Sequence, residues 1–364
     1  MAPMMEITFL GTASANPTPK KAASSIVLRY ENDLWMFDCG EGTQIQLMKS
    51  SLKAGKVNRI FITHLHGDHL YGISGLMCTI GQTNQRDAPI LIYGPLGLAK
   101  YLRVTLGLSR ANLAYRFKVI ELVPTVDMRG EEDDMCNFEE DDHLKLHPCE
   151  DEGERIEAKM VNGVPRWPIF EGPLTVTAGK LEHRIASFAF IIQEQTIPGN
   201  LNVYKLRSFG IEPGPVCKLL RNGNTVSSPS GQQITLKDVL GDDQPGRKVV
   251  ICGDSMNSSH ISYLAQNADV YIHEATLENE LKDQAIERGH STPEMAAEFA
   301  LQANAKLLYL THFSQRYTES RSQQEKTIYS LLEQAKLTFG PNCAVAEDLQ
   351  TYSVKQQSSR TALS

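Results

Sequence analysis

Apolar and polar positions fall into short runs along the first third of the chain. Glu6 to Leu10, "SSIVLRY" (24–30), "LWMFD" (34–38), "KVNRIFIT" (56–63) and "APILIYGP" (88–95) are apolar segments bounded by Gly, Pro, Asn or Asp. Each predicts a strand. A Gly/Pro/Asn-rich loop separates the first two. "GISGLMCTIGQ" (72–82) reads as helix, and "GLAKYLRVTLGL" (97–108) places Leu98, Leu102 and Leu106 on one helical face. Strands return over 173–194, and from Lys248 to about Val354 strand and helix patterns alternate again. Such alternation predicts an α/β fold.

Two stretches interrupt this rhythm. Between Asp127 and Glu171 there are 15 acidic and 5 basic residues, "EEDD" occurs twice, and no period is visible. The composition predicts an acidic, solvated and disordered insertion over 127–171. Residues 196–246 are rich in Gly, Pro, Ser and Asn, with "EPGPV" in the middle. They predict an excursion from the core with one short helix at Asn202 to Phe209. The polar tail after Val354 reads as a frayed end.

Charge changes the picture once it is divided. The 364 residues carry a net charge of -7, but the chain outside 127–171 is at +3. One acidic segment conceals a mildly basic body that tolerates an anionic partner. At 41% apolar residues the chain buries a core, which excludes a disordered or collagen-like protein. No run approaches the roughly 18 apolar residues of a membrane span. The first strand begins at Glu6, so no signal peptide is expected. The 7 cysteines are scattered and form no CxxC pair. They read as reduced thiols of a cytosolic or nuclear protein.

The chemistry sits at strand ends. "FITHLHGDH" leaves a strand with His64, His66, Asp68 and His69 in an HxHxDH arrangement. Residues two apart in such a loop can face one side, so His64 and His66 can share one ion while Asp68 and His69 face a second. Imidazole and carboxylate suit Zn²⁺, and less selectively Mn²⁺ or Fe²⁺. "KVVICGD" ends at Asp254, "ADVYIHEAT" at His273 and Glu274, "KLLYLTH" at His312, and "KLEHRIAS" places His183 at a strand end. One ion takes His64, His66 and His183; the other takes Asp68, His69 and His312; Asp254 bridges. A pair of ions about 3.5–4 Å apart can clamp a phosphodiester during in-line attack. Asp38, ending "LWMFD", is either a site residue or a turn stabiliser near Gly40.

"FLGT" (9–12), "FDCGEGTQIQL" (37–47), the HxHxDH run, "LEHRIASFAF" (181–190), "PGPV" (213–216), "GDS" (253–255), "IHEATL" (272–277), "HSTPEMAAEFA" (290–300) and "LTHFSQRY" (310–317) occur in order. In this the chain resembles the metallo-β-lactamase superfamily, and within it the short-form tRNase Z (ribonuclease Z) family. The resemblance covers most of 5–127 and 173–352. It implies an αββα sandwich with a protruding flexible arm and a di-zinc site at one edge of two sheets. It implies a homodimer that cuts the 3′ trailer from precursor tRNA after the discriminator base, leaving a 3′ hydroxyl and a 5′ phosphate. It implies that Asp68 is general base as well as ligand, and that His273, steered by Glu274, protonates the leaving 3′ oxygen.

Substrate contacts follow from charge and position. Ser291 and Thr292 open a helix, with Ser291 and Glu294 at capping-box spacing, and either cap it or hold phosphate. Arg316 either meets phosphate or pairs with Asp254 or Glu274. The excursion 196–246 resembles the family's tRNA-gripping arm, and between Pro198 and Asn222 it carries Lys205, Arg207, Lys218 and Arg221 against Glu212. The first loop reads "PTPKKAAS" (17–24) where many bacterial members have P-x-K-x-R-N; Lys20 and Lys21 remain to meet phosphate. Within the acidic segment, Cys136, His143, His147 and Cys149 have a spacing that fits no common zinc finger.

Overall fold

The expected strand–helix alternation is realised as two facing sheets. In the computed structural model, residues 3–83, 86–128, 145–319 and 326–356 are described. In chain order the strands of the first half are β1 (Met5–Gly11), β2 (Ser25–Tyr30), β3 (Asp33–Phe37), β4 (Val57–Phe61), β5 (Ile90–Pro95), β6 (Phe117–Leu122), β7 (Glu150–Ile156), β8 (Lys159–Val161) and β9 (Val164–Phe170). They are followed by β10 (Leu174–Leu181), β11 (Ser187–Glu194), β12 (Val226–Ser227), β13 (Gln233–Ile234), β14 (Lys248–Cys252), β15 (Val270–Glu274), β16 (Leu308–Thr311), β17 (Cys343–Val345) and β18 (Thr351–Ser353).

One sheet runs β18-β1-β2-β3-β4-β5-β6-β7 and the other β17-β16-β15-β14-β11-β10-β9-β8. Their inner faces meet through aromatic rings. Phe61 stacks on Phe37 at 4.7 Å and lies 5.2 Å from Phe190 of the other sheet. The outer face of the first sheet is covered by the helices Thr43–Lys49, Ile73–Thr83 and Leu98–Leu108, which bury Leu47, Leu76, Met77 and Leu102. The helices Pro293–Gln302 and Ile328–Phe339 cover the second with Ala296, Ala300 and Leu331. Apolar faces on both sides of each sheet leave no alternative to this layering. No described helix is long and apolar enough to cross a membrane.

Within each half, β3 to β6 and β14 to β17 run parallel. Parallel strands deliver all their carboxyl ends to one edge, where open α/β sheets bind ligands. Asp38, Thr63, Gly253, Glu274 and His312 follow or end such strands.

The expectation of disorder over 127–171 is corrected for its second half; 129–144 lie outside the described residues. Residues 150–170 form β7, β8 and β9. Trp167 is fully buried, meets Phe188 edge-on at 4.9 Å, and donates its indole N–H to the Val123 carbonyl at 2.9 Å. The acidic strand β7 is tolerated because its partner β6 and neighbouring elements supply cations. Lys118 faces Glu154 at 3.0 Å, Arg116 meets Asp151, and Arg103 meets Glu150 at 2.9 Å. Such cross-strand pairing is invisible to composition. Cys136 and His143 lie outside the described residues. His147 is hydrogen-bonded to the Ala111 carbonyl and the Cys149 thiol donates to the Leu113 carbonyl.

The chain divides into two compact units. Among the described residues the larger comprises those up to Glu171, Thr175–Ile192 and Lys248–Val354; the smaller comprises Gly172–Leu174, Gln193–Arg247 and 355–356. The smaller unit has its own core of Leu206, Ile211, Leu220, Ile234 and Val239. It holds the expected helix at Val203–Ser208, capped by the Asn202 side chain, a second helix at Pro215–Arg221, and the β12–β13 hairpin. At its base Glu194 and Arg247 form a buried two-point ion pair, at 2.7 and 2.8 Å.

Candidate metal centre

The HxHxDH loop leaves β4 as a short turn, and Gly67–Leu70 then coils into one helical turn. This brings two groups of donors together. His64, His66, His183 and Asp254 form one; Asp68, His69, Asp254 and His312 form the other, with Asp254 in both. In the first, His66 Nδ1 lies 3.1 Å from His64 Nε2 and 3.1 Å from His183 Nε2. In the second, His69 Nε2 and His312 Nε2 are 3.2 Å apart, and Asp68 Oδ2 is 3.2 Å from His312 Nε2. Asp254 reaches His69 and His312 at 3.3 Å and His64 at 3.7 Å.

The outward nitrogens explain why the inward ones converge. His64 Nδ1 is held by Thr63 Oγ1 at 3.0 Å, His69 Nδ1 by Asp38 at 2.7 Å, His183 Nδ1 by the Gly289 carbonyl at 2.7 Å, and His312 Nδ1 by Thr276 Oγ1 at 2.9 Å. Each ring is oriented by one nitrogen and presents the other, which is how metal-binding imidazoles are set. Nitrogen lone pairs at such spacing around a fully buried Asp254 need a cation between them. Burial pushes His64 well below its usual range, and His66 to about 4, which keeps both in the metal-binding neutral form. Burial also opposes protonation of His69, but the Asp254, Asp38 and Asp68 carboxylates outweigh it and raise that ring. The donor set therefore fits divalent zinc.

Asp38 turns out to orient His69. One carboxylate oxygen accepts the Thr63 amide at 2.7 Å, the other the Thr63 hydroxyl at 2.9 Å and His69. Asp38, His312 and Ala15 all have positive φ (59°, 58° and 60°). The left-handed conformation costs an L-residue roughly 1–2 kcal/mol, and three of them at one edge mark a constrained site. The Ala15 amide donates to Asp68 Oδ2 at 2.6 Å.

A cleft of about 310 Å³ opens over the donors, lined by Asp68, His66, Tyr71, Arg184, His290 and His312 among others. His273 is not there. It is fully buried, bonded to Ser258 Oγ at 2.7 Å and to the Glu274 carbonyl at 2.8 Å, with Phe299 5.5 Å away. Successive strand residues point to opposite faces, so on β15 Glu274 faces the site and His273 turns away. The histidine beside Glu274 is His290, with Nδ1 at 3.1 Å from Oε1. Burial opposes protonation of His290, but Glu274 and Asp254 raise it to about 9. His290 ends no strand, so the strand-end pattern does not mark it; its signal in the sequence is its place in "GHSTPE", between Gly289 and a helix start.

Several expected substrate contacts are placed elsewhere. Ser291 and Thr292 are fully buried; the Ser291 hydroxyl donates to the Ser255 carbonyl, and Thr292, not Ser291, caps the helix by accepting from Met295 N–H. Lys21 is buried over the Phe313 ring at 5.2 Å, near Glu319 at 3.7 Å. Lys20 and Arg316 are exposed, and Asp254 and Glu274 have histidine partners instead of Arg316. In the smaller unit Lys205, Arg207, Lys218 and Arg221 are all exposed; Lys205 donates to the Leu240 carbonyl and Arg207 faces Glu212 at 3.3 Å.

Residues 5–131 match the family model described as anti-Pycsar protein Apyc1. Over nearly its full length the chain is 42% identical to human zinc phosphodiesterase ELAC protein 1, covering 96% of this chain and 98% of that one. It is 39% identical to ribonuclease Z of Microcystis aeruginosa, covering 99% of each. The crystal structure of human tRNase Z, short form (ELAC1), superposes with a TM-score of 0.66 at 36% identity, covering 96% of this chain and 100% of that chain. The Bacillus subtilis protein YhfI, of metallo-β-lactamase fold, matches at a TM-score of 0.60 and 16% identity, a likeness of fold. With its donors gathered at the shared edge of two sheets, the chain belongs to the ribonuclease Z (ELAC1) family of zinc phosphodiesterases, on the metallo-β-lactamase fold.

Proposed function

We propose that this protein is a zinc-dependent endoribonuclease that removes the 3′ trailer from precursor tRNA. The observation that carries the reading is the paired donor set at a cleft, in a chain 42% identical to a zinc phosphodiesterase. His64, His66 and His183 would hold one ion, Asp68, His69 and His312 the other, with Asp254 between them. When bound, zinc supplies positive charge beside the scissile phosphate and acidifies water; Mn²⁺ suits the same donors.

The protein's own groups divide the remaining work. Asp68 faces the cleft, orients the attacking water and takes its proton. His290, steadied by Glu274, gives a proton to the leaving 3′ oxygen; this replaces His273 in that role. The tRNA product then carries a 3′ hydroxyl after the discriminator base, and the trailer a 5′ phosphate. Arg184 at the cleft mouth and the exposed Lys20 and Arg316 suit backbone phosphates. Lys205, Arg207, Lys218 and Arg221 suit the tRNA body remote from the cut.

A homodimer belongs to the same reading: Ile45 and Met48 are 58% and 71% exposed on the helix Thr43–Lys49, an apolar pair suited to a subunit contact. So does a reducing compartment, cytosol or nucleus, since the six described cysteines are free thiols.

The test is cleavage of one precursor tRNA bearing a 3′ trailer, with both new ends mapped, beside Asp254→Ala. A single cut at the discriminator base, absent in the variant, supports the reading. Zinc-loaded protein that hydrolyses a generic phosphodiester and leaves the precursor intact would redirect it to another substrate.

A further inference from the structure

The loop 12–22 joins β1 to β2 and carries Ala15, whose amide meets Asp68 Oδ2. Ala15 is exposed, and its left-handed backbone is one that alanine does not hold unaided. Inside the loop Lys21 N–H donates to Thr18 Oγ1 at 2.9 Å and Asn16 N–H to the Ser14 carbonyl at 2.7 Å, and Gln315 Nε2 donates to the Ser14 and Asn16 carbonyls beside Ala15; none of these bonds closes the neck. The neck is tied by a residue from the other end of the chain. Asp348 Oδ1 accepts from Thr12 Oγ1 at 2.8 Å; Oδ2 accepts from the Ala22 amide at 2.8 Å and from Gln46 Nε2 at 2.9 Å. Thr12 and Ala22 are the two ends of the loop. Ala13 N–H donates to the Ala22 carbonyl at 3.0 Å between them. Gln46 Nε2 also reaches the Leu10 carbonyl at 2.9 Å, which fixes the bracket to β1. On the far side, Ser14 N–H donates to the Phe313 carbonyl at 3.1 Å, beside His312.

We propose that Asp348 is a positioning residue for phosphodiester hydrolysis: by tying both ends of the 12–22 loop it holds the Ala15 amide against Asp68 Oδ2. Asp348 touches neither the donors nor the cleft. It acts through backbone: with the neck closed, Ala15 keeps its conformation and Asp68 keeps one oxygen occupied by a neutral donor. The other oxygen is then committed to a single orientation, which is what a general base needs. The proposal rests on the reading of Asp68 as that base. An asparagine fits the same bracket, with its oxygen toward Ala22 and Gln46 and its amide toward the Thr12 hydroxyl. An alanine leaves all three donors without their acceptor.

The experiment compares zinc-loaded parent, Asp348→Ala and Asp348→Asn on bis(p-nitrophenyl) phosphate, with amide hydrogen exchange of residues 12–22 on the same samples. Asp348→Ala should lower kcat about 10–100-fold, as loss of an outer support does at metal sites. KM and zinc content should stay at the parent's values. Exchange over 12–22 should accelerate while β1 and β2 stay protected, and Asp348→Asn should restore both kcat and protection. Thr12→Val removes one of the three bonds and, should Asp348→Ala fail to fold, should reproduce a smaller loss of both. A folded, zinc-loaded Asp348→Ala with the parent's kcat or loop exchange overturns the proposal. So does a loss of kcat that merely tracks unfolded protein and is no smaller in Asp348→Asn. A parent that holds zinc but hydrolyses nothing overturns the phosphodiesterase reading beneath it.

Discussion

His290 Nδ1 lies 3.1 Å from Glu274 Oε1, joining a loop residue at the cleft to the buried end of β15. His273, one residue before Glu274, faces the opposite side of the strand. His290→Ala should lower kcat for trailer cleavage by about a hundredfold or more, the usual worth of a positioned proton donor, with zinc content unchanged. His273→Ala should cost about 1–3 kcal/mol of stability, by leaving the Ser258 hydroxyl unpaired, and spare kcat in the folded fraction. The reverse pattern in kinetics and melting would return the role to His273.

Asp254 is shared by both donor groups and is fully buried. Asp254→Ala should therefore lose zinc and cleavage together. Chelation of the parent should abolish activity, and added zinc should restore it. Retention of full zinc content by the variant, measured by metal analysis, would show that Asp254 ligates neither ion.

Residues 200–240 carry the small core of the second unit and five exposed cations, Lys205, Arg207, Lys218, Arg221 and Lys237. The bridge between Ile197 and Gln244 lies outside that stretch, so its removal leaves a paired stem. Joining 199 to 241 should leave hydrolysis of a small phosphodiester near the parent rate and cut kcat/KM on precursor tRNA by at least about tenfold, because phosphate contacts dominate such affinity. Equal loss on both substrates would mean that the segment supports the fold instead.

Glu194 and Arg247 close the base of the same unit, and their side chains are only 2% and 4% exposed. Removing one member of a buried pair strands the other charge. Glu194→Ala should cost about 3–5 kcal/mol in denaturant unfolding. A loss below about 1 kcal/mol would place the pair with weak surface bridges.

Asp348 makes stability depend on pH in an unusual direction. Burial pushes its carboxyl from 3.8 up to about 6, against the pull of its Ala22 and Thr12 donors. The folded state then binds the proton more tightly than the unfolded chain does. The charged group costs stability above pH 6, and that cost fades as pH falls from about 6 towards 4. Two units correspond to about 2–3 kcal/mol at most. Asp348→Asn should be more stable than the parent at pH 8 and equal to it near pH 4, by denaturant midpoints. A difference that grows as pH falls would reverse the assignment.

Much of the site was legible because its determinants are local. An apolar run followed by His or Asp is a strand with a ligand at its end, and parallel strands deliver such ends to one edge whatever the loops between them do. His64, His66, Asp68, His69, His183, Asp254 and His312 all follow from that grammar and do come together. Composition averaged over the acidic segment misses its strands: Asp151 and Glu154 are balanced by Arg116, just before β6, and by Lys118 on it.

By itself, then, the sequence determined which residue types stand at the carboxyl ends of which strands, and hence the donors and the order of the layers. Only the tertiary structure decided direction and partnership. The side-chain alternation along β15 has a phase set by which face packs on the helix Pro293–Gln302, and that phase sends His273 into the core and Glu274 to His290. Charge and loop position make Lys21 a candidate phosphate contact, yet it lies buried on Phe313. Asp348 meets Thr12 across 336 residues of chain. No local pattern encodes such a pair, because it exists only once the last strand has docked beside the first.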